Sequence, residues 1–186
     1  PHIAGDMVGG QDTVMTYCAL SNLPMAFNPK LNGQDTNFRV IAQTSNNLIF
    51  TDRNSGELIQ QITATAEYSQ SMLDEYPVQR MPYGSFKQLY PKGKVFQFKP
   101  NLLDELTLKL FDAAIPAHYE GNVMFPTLSM TDNRLANGEA IWGLKEGNKQ
   151  AAIAKSAFDK SPVIKLKFDD REIIAVWFEE FETVGA

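Results

Sequence analysis

An α+β fold, mainly antiparallel β-sheet with two helices packed on it, is what three stretches of this sequence predict. Phe38 to Thr65 reads as three strands joined by two tight turns. Asn101 to Ile115 reads as an amphipathic helix with both a start and a stop signal. Pro162 to Phe181 reads as a hairpin with a polar tip.

In chain order, residues 1–12 are glycine-rich and lightly patterned, and they predict a flexible N-terminal arm. The remainder, 13–186, predicts a single α+β domain, with an internal boundary placed, if there is one, within 76–93. Thr13 to Leu20 holds the β-formers Val14, Thr16 and Tyr17 and predicts a strand. Asn22 to Gly33 contains Pro24, Pro29 and Gly33 and predicts a loop.

Phe38, Val40 and Ala42 alternate and share one strand face. Thr44 to Asn47 turns the chain into Leu48 to Thr51. Asp52 to Gly56 is a second turn, rich in residues that tolerate left-handed backbone. Leu58 to Thr65 completes the meander. Thr65 to Tyr76 mixes helix-formers with β-formers and fits either element. Tyr76 to Gly93 interleaves five prolines and glycines with four aromatics, which predicts a long irregular connection that packs rather than floats.

Lys94 to Lys99 reads as a strand, with Phe96 and Phe98 on one face. Pro100 stops it, since proline has no N–H to donate. Asn101 is a natural N-cap. Asp104 and Glu105 place negative charge at the positive end of the helix dipole. Leu102, Leu103, Leu106, Leu110, Phe111 and Ala114 recur at three- and four-residue steps, the period of one buried helical face. Pro116 ends the helix. Beyond it, Asn122 to Met130 predicts an edge strand interrupted by Pro126, and Glu139 to Leu144 a short strand. Alanine-rich Asn148 to Phe158 predicts the second helix. In the last strand both faces are apolar near the start, which predicts a central strand covered on both sides.

The totals narrow the function. A hydrophobic fraction of 44% and a charged fraction of 21% exclude wholesale disorder. A net charge of -5 argues against a dedicated nucleic-acid binder. The single Cys18 cannot form an internal disulfide or a cysteine-rich zinc site. No run is long enough to span a bilayer, so no membrane association is expected, and the expected location is the cytoplasm. With two histidines, His2 and His118, a multi-histidine metal site is excluded; no metal and no cofactor are expected.

No phosphate loop, dinucleotide fingerprint, nucleophile elbow or CxxC pair occurs. His118, near Asp112 and Glu120, is a weak candidate acid or base for a hydrolase. Its simpler reading is a surface histidine at a helix C-terminus. The acids Asp169, Asp170, Glu172, Glu179, Glu180 and Glu182 invite a metal-nuclease reading, but a solvated strand edge accounts for them more simply. Between Phe86 and Lys99, lysines 87, 92, 94 and 99 alternate with aromatics, a pattern that suits single-stranded nucleic acid. Inward phenylalanines with outward lysines produce the same pattern and are the preferred reading, and Trp142 and Trp177 are expected in the core.

The pattern from Phe38 through Tyr76-Pro77 to Leu102–Ala114, with the final apolar strand, resembles part of a bacterial DNA sliding clamp domain. The resemblance covers under half the chain, rests on no identities, and lacks that family's internal signatures. It implies a clamp-like, nucleic-acid-associated role. The leading expectation is instead a non-enzymatic module that binds protein or assembles with itself. Tyr76, Tyr83, Phe86, Tyr90, Lys92 and Lys94 are its candidate contact residues. A basic middle and an acidic C-terminal segment would permit head-to-tail association if they lay on opposite sides.

Overall fold

The computed structural model describes residues 2–97, 99–120, 132–147 and 149–185. The predominance of antiparallel sheet holds: every strand pair is antiparallel. The chain divides into two compact units. Among the described residues the first comprises 2–78 and the second the rest.

The first unit is all β. Strands β1 (Ile3–Val8), β2 (Gln11–Cys18) and β3 (Leu23–Phe27) lie in order, with β10 (Glu75–Tyr76) beside β3. Residues 3–8, expected in a free arm, instead pair along their whole length with β2 through a turn at Gly9 and Gly10, both at positive φ. The stretch read as loop from Asn22 contains β3 and the short β4 (Lys30–Leu31), which pairs with β5 (Gln34–Asp35). Pro24 is tolerated in β3 because β10 reaches only Ala26 and Phe27, so at Pro24 the strand pairs with β2 alone.

The expected meander forms as β6 (Phe38–Thr44), β7 (Asn47–Asp52) and β8 (Leu58–Gln60), and β9 (Thr65–Ala66) adds a fourth strand. Its first turn places Ser45 and Asn46 at positive φ, the twist a two-residue hairpin needs. A bulge between Val40 and Ala42 breaks the alternation, leaving Ala42 exposed while Phe38 and Val40 stay half-buried. Phe27, Leu31, Phe50, Ile59, Ala64, Ala66 and Leu73 make the core. Phe38 meets Phe50 edge-on at 5.0 Å between ring centres.

Two buried carboxylates hold the meander's loops. Asp52 accepts hydrogen bonds from Asn37 N at 2.7 Å, Ser55 N at 3.0 Å and Ser55 Oγ at 2.5 Å. Burial pushes its pKa up, but the bonds from Asn37, Ser55 and Asn54 outweigh this and hold the group below its ordinary 3.8. Glu57 accepts from Tyr68 N and Ser69 N, tying the segment after β9 to the sheet. Fully buried Gln61 donates from Nε2 to Thr16 Oγ1 at 2.9 Å and Leu23 O at 3.1 Å.

The second unit contains α1 (Tyr83–Leu89), α2 (Leu102–Tyr119), and the strands β11 (Ile141–Glu146) and β12 (Lys149–Ala154). After these come α3 (Lys155–Phe158), β13 (Val163–Phe168), β14 (Arg171–Phe178) and β15 (Thr183–Gly185). The expected helix over 148–158 is corrected. Residues 149–154 form a hairpin with β11, closed by Gly147 at positive φ, and only the last four are helical. Paired with β11, Ile153 turns inward opposite Trp142 while Ala152 faces out, and this pairing overrides the helix preference of alanine.

Trp142 stands edge-on to Phe158 at 5.6 Å and to Trp177 at 5.4 Å, in a core with Ile153 and Ala175, as expected of both tryptophans. The terminal hairpin forms, and β14 is central between β13 and β15. Only one of its faces is covered, since Ile174 and Phe178 are exposed while Ala175 is fully buried. The expected strand over Asn122–Met130 lies outside the described residues.

Candidate functional site

The helix predicted from its caps forms, but its packing differs from expectation. Asn101 Oδ1 accepts from Leu103 N at 2.9 Å and Asp104 N at 3.0 Å, and Asp104 Oδ2 accepts from Asn101 N at 3.0 Å. This reciprocal box nucleates α2. The helix runs past its expected end, with Pro116 inside it, and stops after Tyr119. Proline there removes one backbone bond and does not end the helix.

The leucine stripe was expected to lie against sheet. It faces solvent instead: Leu102 is 84% exposed, Leu103 72%, Leu106 58% and Leu110 66%. At 100° per residue these four, with Ala113, Ala114 and Ala117, occupy an arc of about 120°. Towards its C-terminal end the helix is partly covered, with His118 buried and Ala114 and Ile115 half-buried. Acidic Asp104, Glu105 and Asp112 and the single Lys109 lie outside the stripe.

Lys94 to Gln97 and Lys99 form no strand, and Phe96, expected in the core, is 49% exposed. β-propensity becomes a strand only where a partner edge receives it, and no described strand pairs with this segment. Tyr76 to Gly93, expected as irregular, contains α1. Pro82 sits at its N-cap, where a missing N–H costs nothing.

The six candidate contact residues are distributed over both units. Half-buried Tyr76 pairs with Ala26 in the first unit. Tyr83, Phe86, Tyr90, Lys92 and Lys94 belong to the second. The Phe86 ring lies tilted against that of Tyr90, 5.5 Å between centres, and packs so closely on Gly93 that a Cβ there would fall 2.5 Å from Phe86 Cζ. Its face is therefore occupied by its own loop. Lys87 Nζ lies 4.8 Å over the Tyr83 ring. Tyr83, Tyr90, Lys92 and Lys94 are exposed.

His118 is 5% exposed, a buried group and not the surface histidine expected, and its ring lies 5.6 Å from that of Tyr119. The C-terminal acids do not converge. Asp169 pairs with Lys149, Glu172 with Lys165 at 4.0 Å, and Arg171 with Glu146. Gln88 Nε2 donates to Glu180 Oε1 at 2.8 Å, joining α1 to the turn Glu179–Phe181. Among the described residues no group of three or more His, Cys, Asp or Glu could hold a metal ion, and no helix is long and apolar enough to cross a membrane.

The outward leucine face of α2 is the feature that sequence reasoning missed. No signal in the linear pattern separates a stripe that will be buried from one left open, because both have the same period.

Residues 1–186 match the model of DUF3179, a family of proteins of unknown function, and the chain belongs to that family. No curated protein and no solved structure matches it, so the clamp-like pattern gains no support.

Proposed function

We propose that this DUF3179 chain is a non-enzymatic module that binds protein or assembles with itself, with α2 as its contact surface. The observation that carries this reading is the solvent-facing stripe of Leu102, Leu103, Leu106 and Leu110. Contiguous apolar surface beyond roughly 300–600 Å² is uncommon on single chains and marks interaction sites. Leucine left in water forgoes about 25 cal/mol for each Å² that a partner would cover. The helix is capped independently of any partner, so the face is presented ready-formed.

The test is the chemical accessibility of that face. In a Cys18→Ser background, Leu106→Cys is labelled with a water-soluble maleimide, once in dilute purified protein and once inside cells producing the chain. Slower labelling in cells is expected, because a partner shields the stripe there. Equal rates would remove this reading.

A second reading, binding of single-stranded nucleic acid by residues 86–99, draws on one observation: Phe96 is exposed among exposed Lys92 and Lys94. Against it stand the occupied faces of Phe86 and Tyr83 and the net charge of -5. Fluorescence polarisation showing salt-dependent DNA or RNA binding, lost in Lys92→Glu/Lys94→Glu, would favour it. The hydrolase reading is weaker, because His118 is buried and out of reach of bulk solvent.

A further inference from the structure

The partner of α2 can be named more closely, on the footing that the stripe is a protein contact. We infer that it is a second copy of this chain, whose α2 lies antiparallel on the first about a two-fold axis. The argument is charge complementarity along the stripe's edge. Glu105 and Lys109 stand four residues apart and flank the stripe on the same side.

In an antiparallel helix pair, each flank faces the same flank of the other helix. Centring the crossing between Leu106 and Thr107 sets Leu103 of each copy on Leu110 of the other. The same register brings Lys109 of each copy within side-chain reach of Glu105 of the other. The two ion pairs are related by the two-fold axis, as an isologous contact requires. A parallel pair would instead set this edge of each helix against the other flank of its partner, beside Thr107 and not against an opposite charge, and would bring two acidic, capped N-termini together. It would also align the helix dipoles unfavourably.

Other occupants fit less well. The polar side of α2 carries Asp104, Glu105 and Asp112 against one lysine, the wrong sign for an anionic lipid surface. A chain of different sequence would need its own Lys-and-Glu edge in matching register, which a second copy supplies by symmetry.

Sedimentation velocity of the intact chain over a concentration series tests this directly. A weak dimer that persists in high salt is expected, since leucine burial drives it. Leu103→Glu/Leu106→Glu weakens it by at least about thirtyfold, the loss that follows from removing central apolar anchors. Because both residues face solvent, circular dichroism of that variant matches the parent.

Glu105→Lys alone and Lys109→Glu alone each weaken dimerisation by roughly three- to tenfold. The double reversal Glu105→Lys/Lys109→Glu restores it, as a two-fold pairing of these edges requires. A monomer up to hundreds of micromolar, or a double reversal no better than either single one, overturns the second-copy assignment. If Leu106→Cys is still shielded in cells under those outcomes, the broader protein-contact reading survives. Equal labelling there would end both.

Discussion

The sheet core of the first unit and the helix α2 of the second use the same kind of residue at regular spacing, and the two come to opposite ends. Leu48, Phe50 and Ile59 are completely removed from water on β7 and β8. Leu102, Leu103, Leu106 and Leu110 are equally periodic and stand in it. The difference lies in what each element needs from its surroundings. A strand's backbone groups must pair across a ladder, so β7 cannot form without β6 and β8, and those neighbours bring a shared apolar face. A helix satisfies its backbone internally and is nucleated here by its own capping box, so α2 stands without any partner to cover its stripe. Period therefore tells which side of an element is apolar, and pairing obligations tell whether this chain itself covers that side.

That contrast predicts a graded series of effects, each measured by denaturant unfolding unless stated. Phe50→Ala, at the centre of the first core, is expected to cost about 3–5 kcal/mol, since the void cannot collapse within a paired sheet. A cost below that of an exposed helix substitution would break the comparison.

Asp52→Ala comes next, at about 1–3 kcal/mol, because the amides of Asn37 and Ser55 lose their acceptor. The sign of its pH dependence is fixed by its depressed pKa. Its contribution is complete above the ordinary 3.8 and disappears as pH falls through the lower folded value. Asp52→Asn should flatten that part of the acid limb. An unchanged acid limb would show that other carboxylates govern it.

Asn101→Ala should cost about 1 kcal/mol, felt by α2 alone. Amide hydrogen exchange at Leu103 and Asp104 should rise while that of β7 stays constant. The smallest effect is expected for Leu103→Ser/Leu106→Ser, with dilute-protein stability altered by no more than about 0.5 kcal/mol for each site. A loss of several kcal/mol would mean that this chain covers the stripe itself, and it would erase the contrast.

Much of the architecture is legible from local signals. The meander's turns at Ser45-Asn46 and Asp52–Gly56 are written in residues that accept left-handed backbone. The Asn101/Asp104 box is recognisable from its N-cap residue and the acid three positions on. Illegible were the elements whose state depends on a distant edge. Lys94 to Gln97 has strand residues but no described strand to join. Ala151 to Ala154 has helix residues but pairs with β11. The candidate contact residues were legible as types. Composition cannot show that Gly93 folds onto Phe86 or that Tyr76 sits in a different unit from Tyr83.

From its residues alone this protein is committed to antiparallel sheet, to its tight turns, and to one capped, leucine-striped helix. Each of those rests on interactions within a few positions of chain, which the order of residues specifies directly. Which strands find partners, and whether the leucines meet protein or water, depends on surfaces brought together from far along the chain. Those surfaces come into being only on folding, and for α2 folding leaves the apolar face open.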